Sequence, residues 1–144
     1  MERSYIIVSN SEVIKKVTEW ITFADEDLVF AQNGLNIKKN TPFRLIAFHS
    51  QQCVEKYLKA FLVLKGVDFP FTHIISFLLK LCSEHANWIE DIKVAEGLTQ
   101  FAISLRYPGE DKGVTREEAV EAIFIASKVR EVVRKDLIKN GVNL

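Results

Sequence analysis

The sequence predicts an all-α fold, an up-and-down bundle of about five helices. Three observations carry this expectation. Apolar residues recur at spacings of three and four over long stretches. The three prolines and six glycines fall where helices would begin or end. No convincing alternating strand pattern follows residue 10.

Taken in order, residues 1–10 read as a tail and residues 11–141 as one helical domain. From Ser11 to about Asn33, Val13, Ile14, Val17, Trp20, Ile21, Ala24, Leu28 and Ala31 form an amphipathic stripe, with Gly34 as the stop. Thr41-Pro42 predicts the next start, a capping hydroxyl followed by proline in the first turn, and this helix runs to about Lys65 and Gly66. Thr72 is expected to cap a third helix through about Leu81. Asn87 with Glu90 has the spacing to open a fourth, ending near Arg106 because Pro108 disfavours helical geometry at Tyr107. Thr115-Arg-Glu-Glu118 is a capping box by spacing, and the last helix continues to about Asn140-Gly141. Its Val120, Ile123, Phe124, Val129, Val132, Val133 and Leu137 are more apolar than one buried face requires, as in a helix packed on two sides or one meeting a second copy.

At 144 residues the chain can bury a core without disulfides or metal. Its 19 basic and 19 acidic side chains leave zero formal net charge, so any nucleic-acid site has to be a local patch. Cys53 and Cys82 fit neither a zinc pattern nor a disulfide framework and read as small core residues. Cys82 with His85 lacks the other ligands of a closed metal site, so none is expected. No segment is apolar enough to span a bilayer, and MERSYIIVSNSEV lacks the pattern of a signal peptide, which makes the cytoplasm the expected compartment. A phosphate-binding glycine loop, a nucleophile elbow, a paired-carboxylate site and a metal-binding helix motif are all missing, and no cofactor is expected.

The stretch FHSQQCVEKYLKA, residues 48–60, is the most informative. On a helical projection Phe43, Ile46, Ala47, Val54, Tyr57, Leu58, Phe61 and Leu64 share the core face. His49, Gln52, Lys56 and Lys59 fall in another arc of roughly 80°. That stripe joins an imidazole, an amide and two ammonium groups, a set suited to a phosphate or a base edge. A plainer reading stands beside it. Lys59 is placed to pair with Glu55 at i,i+4, His49 to be a satisfied half-buried histidine, and Gln52 a solvated one.

Read together, FHSQQCVEKYLKAFLVLKG (48–66), THIISFLL (72–79) and LRYP (105–108) resemble the HEPN domain family, in that family's order. The helix from Trp20 to Ala31, with Ala24, Asp25 and Asp27, is similar too. The resemblance implies a helical bundle, commonly a homodimer, often made beside a small nucleotidyltransferase as a two-component, toxin–antitoxin-like module. It implies nucleotide binding, and in one branch metal-independent RNase activity, in which an arginine and a histidine four to six residues later act on the phosphate and the ribose 2′-hydroxyl. Arg44 and His49 have that spacing, but Leu45 stands where active members usually place a polar residue, and the family carries the motif on a later helix. There, the run from Arg106 to Val114 holds no histidine.

The resemblance therefore implies a nucleotide- or RNA-binding site of His49, Gln52, Lys56, Lys59, His73, Arg106 and Tyr107, with Arg44 and His49 catalytic only in the RNase reading. A scaffold whose stripe is an interface is the third reading. Plain structural roles exist for the outlying residues: His73 can bond loop backbone, Arg106 suits a helix C-terminus, and Tyr107-Pro108 can fix an exit turn. The loop from Gly109 to Gly113 reads either as a connector or as an edge over the pocket.

Overall fold

The structure, a computed structural model, describes residues 10–104 and 113–144. It contains α1 (Asn10–Gly34), α2 (Phe43–Leu64), α3 (Ile75–Cys82), a 3₁₀ segment (Glu90–Leu98) running directly into α4 (Thr99–Ser104), and α5 (Arg116–Lys139). No strand occurs among the described residues. The fold is an all-α bundle, as the periodicity and punctuation predict. Among the described residues no helix is long and apolar enough to cross a membrane.

Four legs alternate in direction. Gly34 lies beside Ile46 and Asp25 beside Tyr57, so α1 runs antiparallel to α2. Trp88 bonds Asp136, while Leu98 and Phe101 share a surface pocket with Glu118 and Ala122, so the leg from the 3₁₀ segment through α4 runs antiparallel to α5. The short α3 packs on α2 and the 3₁₀ segment.

The helix buried on the most sides is α2, not α5. Tyr57, Leu58, Phe61 and Leu62 are fully enclosed, and so are Ser50, Gln51 and Cys53 around the same turns. The α5 helix instead buries one face through Ala119, Ala122, Ala126, Val129, Val133 and Leu137, leaving Val120 and Phe124 exposed. Both cysteines are free thiols in the core.

The helix ends test the sequence rules individually. The Thr115 capping box forms in full, its hydroxyl accepting from Glu118 N and the Glu118 carboxylate accepting from Thr115 N. Gly66 and Gly141 follow α2 and α5 with φ of 69° and 93°, the left-handed geometry that favours glycine. Three expected caps are corrected. Pro42, not Thr41, is the N-cap of α2, and the Thr41 hydroxyl donates back to the Ile37 carbonyl. Thr72 accepts from Ile74 N at 3.1 Å, forming a turn just ahead of α3 rather than capping it. Asn87 and Glu90 open no capped α-helix, and Ile89 precedes a 3₁₀ segment instead. The cause of that change is legible in burial. Ile92, Ala95 and Leu98, each three residues apart, are all buried, and a three-residue repeat is kept on one side by 3₁₀ geometry rather than by 3.6 residues per turn.

Candidate functional site

The polar stripe of α2 does not face open solvent. It lies along the seam with α1 and beneath the connection that leads into α3. The antiparallel pairing carries Asp27 to the middle of the seam, where its carboxylate is nearly buried. His49 Nδ1 lies 2.7 Å from Asp27 Oδ1, and Lys56 Nζ lies 2.5 Å from Oδ2. An ionised carboxylate only accepts, so Nδ1–H is the donor and the neutral ring keeps its lone pair on Nε2. Both partners remain part-exposed at about a quarter of their side-chain surface. Phe30 sits one turn along α1 and places its ring 4.7 Å from the His49 imidazole, with 58% of its surface open. The Phe48 ring packs edge-on against the same imidazole at 5.2 Å. A part-exposed imidazole with a fixed tautomer, an adjacent ammonium and an open aromatic ring therefore converge at one point. This arrangement can hold a phosphate, stack a base, or move a proton through Nε2.

Gln52 joins this stripe by donating to Gln51 Oε1 at 2.7 Å. Gln51 is fully buried and donates to the His73 carbonyl at 3.2 Å, tying α2 to the chain entering α3. The two adjacent glutamines thus differ in role, Gln51 tying elements together in the core and Gln52 lying part-buried on the polar stripe.

Lys59 lies apart from the open stripe. It is 5% exposed and pairs with Glu55 Oε1 at 3.5 Å, as the i,i+4 spacing suggests. The rings of Trp20, Phe69 and Phe71 surround its ammonium at 5.6–5.7 Å. The same buried Glu55 oxygen accepts from His73 Nδ1 at 2.7 Å. His73 thus bonds a side chain rather than loop backbone, and it stands at a second cluster one turn along α2.

Arg44 is exposed on the first turn of α2 and lines a surface depression with Pro42, Leu45 and Gly113. Five residues separate it from His49, which turns the two about 140° apart around the helix, so one chain does not bring them together. Arg106 and Tyr107, and the loop from Gly109 to Lys112, lie outside the described residues.

Another cluster lies on the far flank of α1. Asp25 accepts from the Tyr57 hydroxyl and from Arg130 Nε at 2.9 Å, with Arg134 at 3.6 Å. Burial, and then the bond to Asp25, push the Tyr57 hydroxyl well above the ordinary phenol range. This network ties α1, α2 and α5 together.

Sequence reasoning missed Asp27, Glu55, Phe30 and Phe71 as site components. Asp27 carried a signal: it is an acid at a position that the stripe Ala24–Leu28–Ala31 nearly encloses, and a carboxylate there needs partners.

Comparison with known proteins places these features in context. The HEPN domain model matches residues 17–136. The chain is 32% identical to a Methanocaldococcus jannaschii protein described as "Putative toxin MJ1304", over 91% of this chain and 93% of that protein. The crystal structure of TT1696 from Thermus thermophilus is similar with a TM-score of 0.70 at 27% identity, covering 83% of this chain and 97% of that one. The crystal structure of ST0689, described as an archaeal HEPN homologue, is similar with a TM-score of 0.65 at 30% identity, covering 83% and 96% respectively.

Proposed function

This chain belongs to the HEPN domain family, and we propose that it acts in the cytoplasm as the nucleotide- or RNA-binding member of a two-component, toxin–antitoxin-like module. Its partner is a separately encoded small nucleotidyltransferase. The working unit is a homodimer, a reading supported by Val120 and Phe124, which α5 leaves exposed.

The observation that carries the binding role is the His49 constellation. Asp27 fixes Nδ1, Lys56 supplies a cation within the same carboxylate bridge, and Phe30 offers an open ring against the imidazole. Those are the elements of phosphate and base recognition without a metal. The relative described as a toxin supports the module.

A second reading, a metal-independent endoribonuclease, is favoured by one feature. Nδ1 held by a carboxylate with Nε2 left over is the arrangement a histidine base needs. Against it stands Arg44, on another side of α2 in the same chain. Calorimetric titration with adenosine monophosphate, beside incubation with mixed single-stranded RNAs in excess chelator, separates the two. The binding reading expects saturable binding that His49→Ala and Lys56→Ala each weaken about tenfold or more, and intact RNA. Cleavage abolished by both His49→Ala and Arg44→Ala, with circular dichroism unchanged, establishes the RNase instead. Neither binding nor cleavage of any of these probes leaves a scaffold. Co-purification with the nucleotidyltransferase from a neighbouring reading frame tests the partner.

A further inference from the structure

A cavity of about 210 Å³ opens on the flank of α5, in the groove where that helix meets the leg from the 3₁₀ segment into α4. Its floor is apolar and made by Leu98, Phe101 and Ile125, all buried. Its rim is acidic. Glu118 and Glu121, three residues apart on α5 and both exposed, line the same cavity. Glu118 spends one carboxylate oxygen on Thr115 N in the capping box, which leaves the other. Glu121 has no ion pair among the described residues. Among those residues no lysine or arginine lines the cavity, so the acidic rim is not answered from within the groove. The volume narrows the class of occupant. Sites for small molecules run to about 300–1,000 Å³, and this one falls below that range and suits a single inserted side chain.

We infer that this groove is the docking site of a protein partner that inserts an arginine. An arginine matches both halves of the site. Its methylene stem lies over Leu98, Phe101 and Ile125, and its guanidinium stays at the rim with Glu118 and Glu121. The planar fork donates in several directions at once, so one side chain serves two carboxylates, which a lysine ammonium does less well. Because both carboxylates are exposed, the pairing is screened by salt and contributes specificity more than affinity. The surface proposed for the homodimer does not compete. Val120 and Phe124 are centred roughly 130° round α5 from the groove residues, so both faces are open to partners at the same time. No residue of the His49 stripe lines the groove, and the site stands apart from the nucleotide-binding reading.

The test is selection of a random peptide library displayed on phage against the full chain, with the recovered peptides titrated by fluorescence anisotropy. Recovered sequences are expected to carry an arginine beside apolar residues, and replacing that arginine by norleucine should weaken binding about tenfold or more. Gly97→Leu fills the mouth of the groove and should abolish binding. A Cβ at Gly97 meets nothing within 4 Å, so the added side chain has room. Glu121→Gln, a change of charge at an exposed position, should weaken binding by up to about fivefold and flatten its salt dependence. Circular dichroism verifies both folds, and Glu121→Gln carries the test alone if Gly97→Leu unfolds the chain. Peptides that bind either variant as tightly as the parent, at every salt concentration, overturn the proposal. So does a selection that yields only acidic or purely apolar sequences, or none. A change in the sedimentation of the unliganded chain on Gly97→Leu assigns the groove to a second copy instead and overturns the separate partner.

Discussion

Asp27→Ala is the substitution that most directly tests how the seam between α1 and α2 is held. The carboxylate is 11% exposed at its side chain and receives two charge-assisted bonds, from His49 at 2.7 Å and Lys56 at 2.5 Å. Breaking a fully buried ion pair costs about 3–5 kcal/mol, and an exposed pair is worth about 0–1. Here the acid is nearly buried while both partners keep roughly a quarter of their surface, so each can recover part of its hydration when the acid is removed. An intermediate loss of about 2 kcal/mol follows. For a chain of this size that lowers the melting temperature by roughly 8 °C. Lys56→Ala alone should cost less, about 1 kcal/mol, because Asp27 retains His49. In a double-mutant cycle measured by chemical denaturation, the Asp27–Lys56 coupling should be about 1 kcal/mol. Adenosine monophosphate binding should fall in Asp27→Ala as well, since the imidazole loses the partner that sets its tautomer. A coupling within about 0.3 kcal/mol of zero would refute the reasoning, because it would mean that solvent replaces the bridge at no cost.

Three further predictions concern the core and a helix start. Burial pushes the Cys82 thiol up from 9.0 to about 12, and burial together with the Asp25 and Asp27 carboxylates raises Cys53 further. The thiolate is the nucleophile, so iodoacetamide at mildly alkaline pH should leave the native protein unmodified and alkylate both thiols in denaturant, as read by mass spectrometry. The same displacement makes stability fall as pH rises above the unfolded thiol value, because only the unfolded chain then sheds these protons; a flat profile toward pH 12 would contradict it. Thr115→Ala should cost about 1 kcal/mol in chemical denaturation by breaking the capping box at the start of α5, with Thr115→Ser restoring most of it.

Much of this molecule is legible along the chain because the forces that make a helix are local. The stripe from Val17 to Ala31, the glycines after α2 and α5, and the Thr115–Glu118 box each act within a few residues, and each appears where expected. The arc of His49, Gln52, Lys56 and Lys59 was equally readable, because α-helical geometry places those positions on one side whatever surrounds them. What that arc faces was not local. Only the antiparallel register of α1 against α2 brings Asp27 between His49 and Lys56, across 22 and 29 residues of sequence. Only the path of the chain after α2 carries Phe69, Phe71 and His73 back over Glu55 and Lys59, closing one ammonium inside a cage while its neighbour one turn away stays open. The change from an α-helix to a 3₁₀ segment at Glu90–Leu98 has the same origin: burial of Ile92, Ala95 and Leu98 against α2 and α5 outweighs the local preference for an Asn87 cap. The polar residues of the arc were set by the sequence alone. Which of them remain available, and which carboxylates orient them, was decided by packing between helices, since an ion pair forms only where two distant segments of chain are held together against the entropy of an open one.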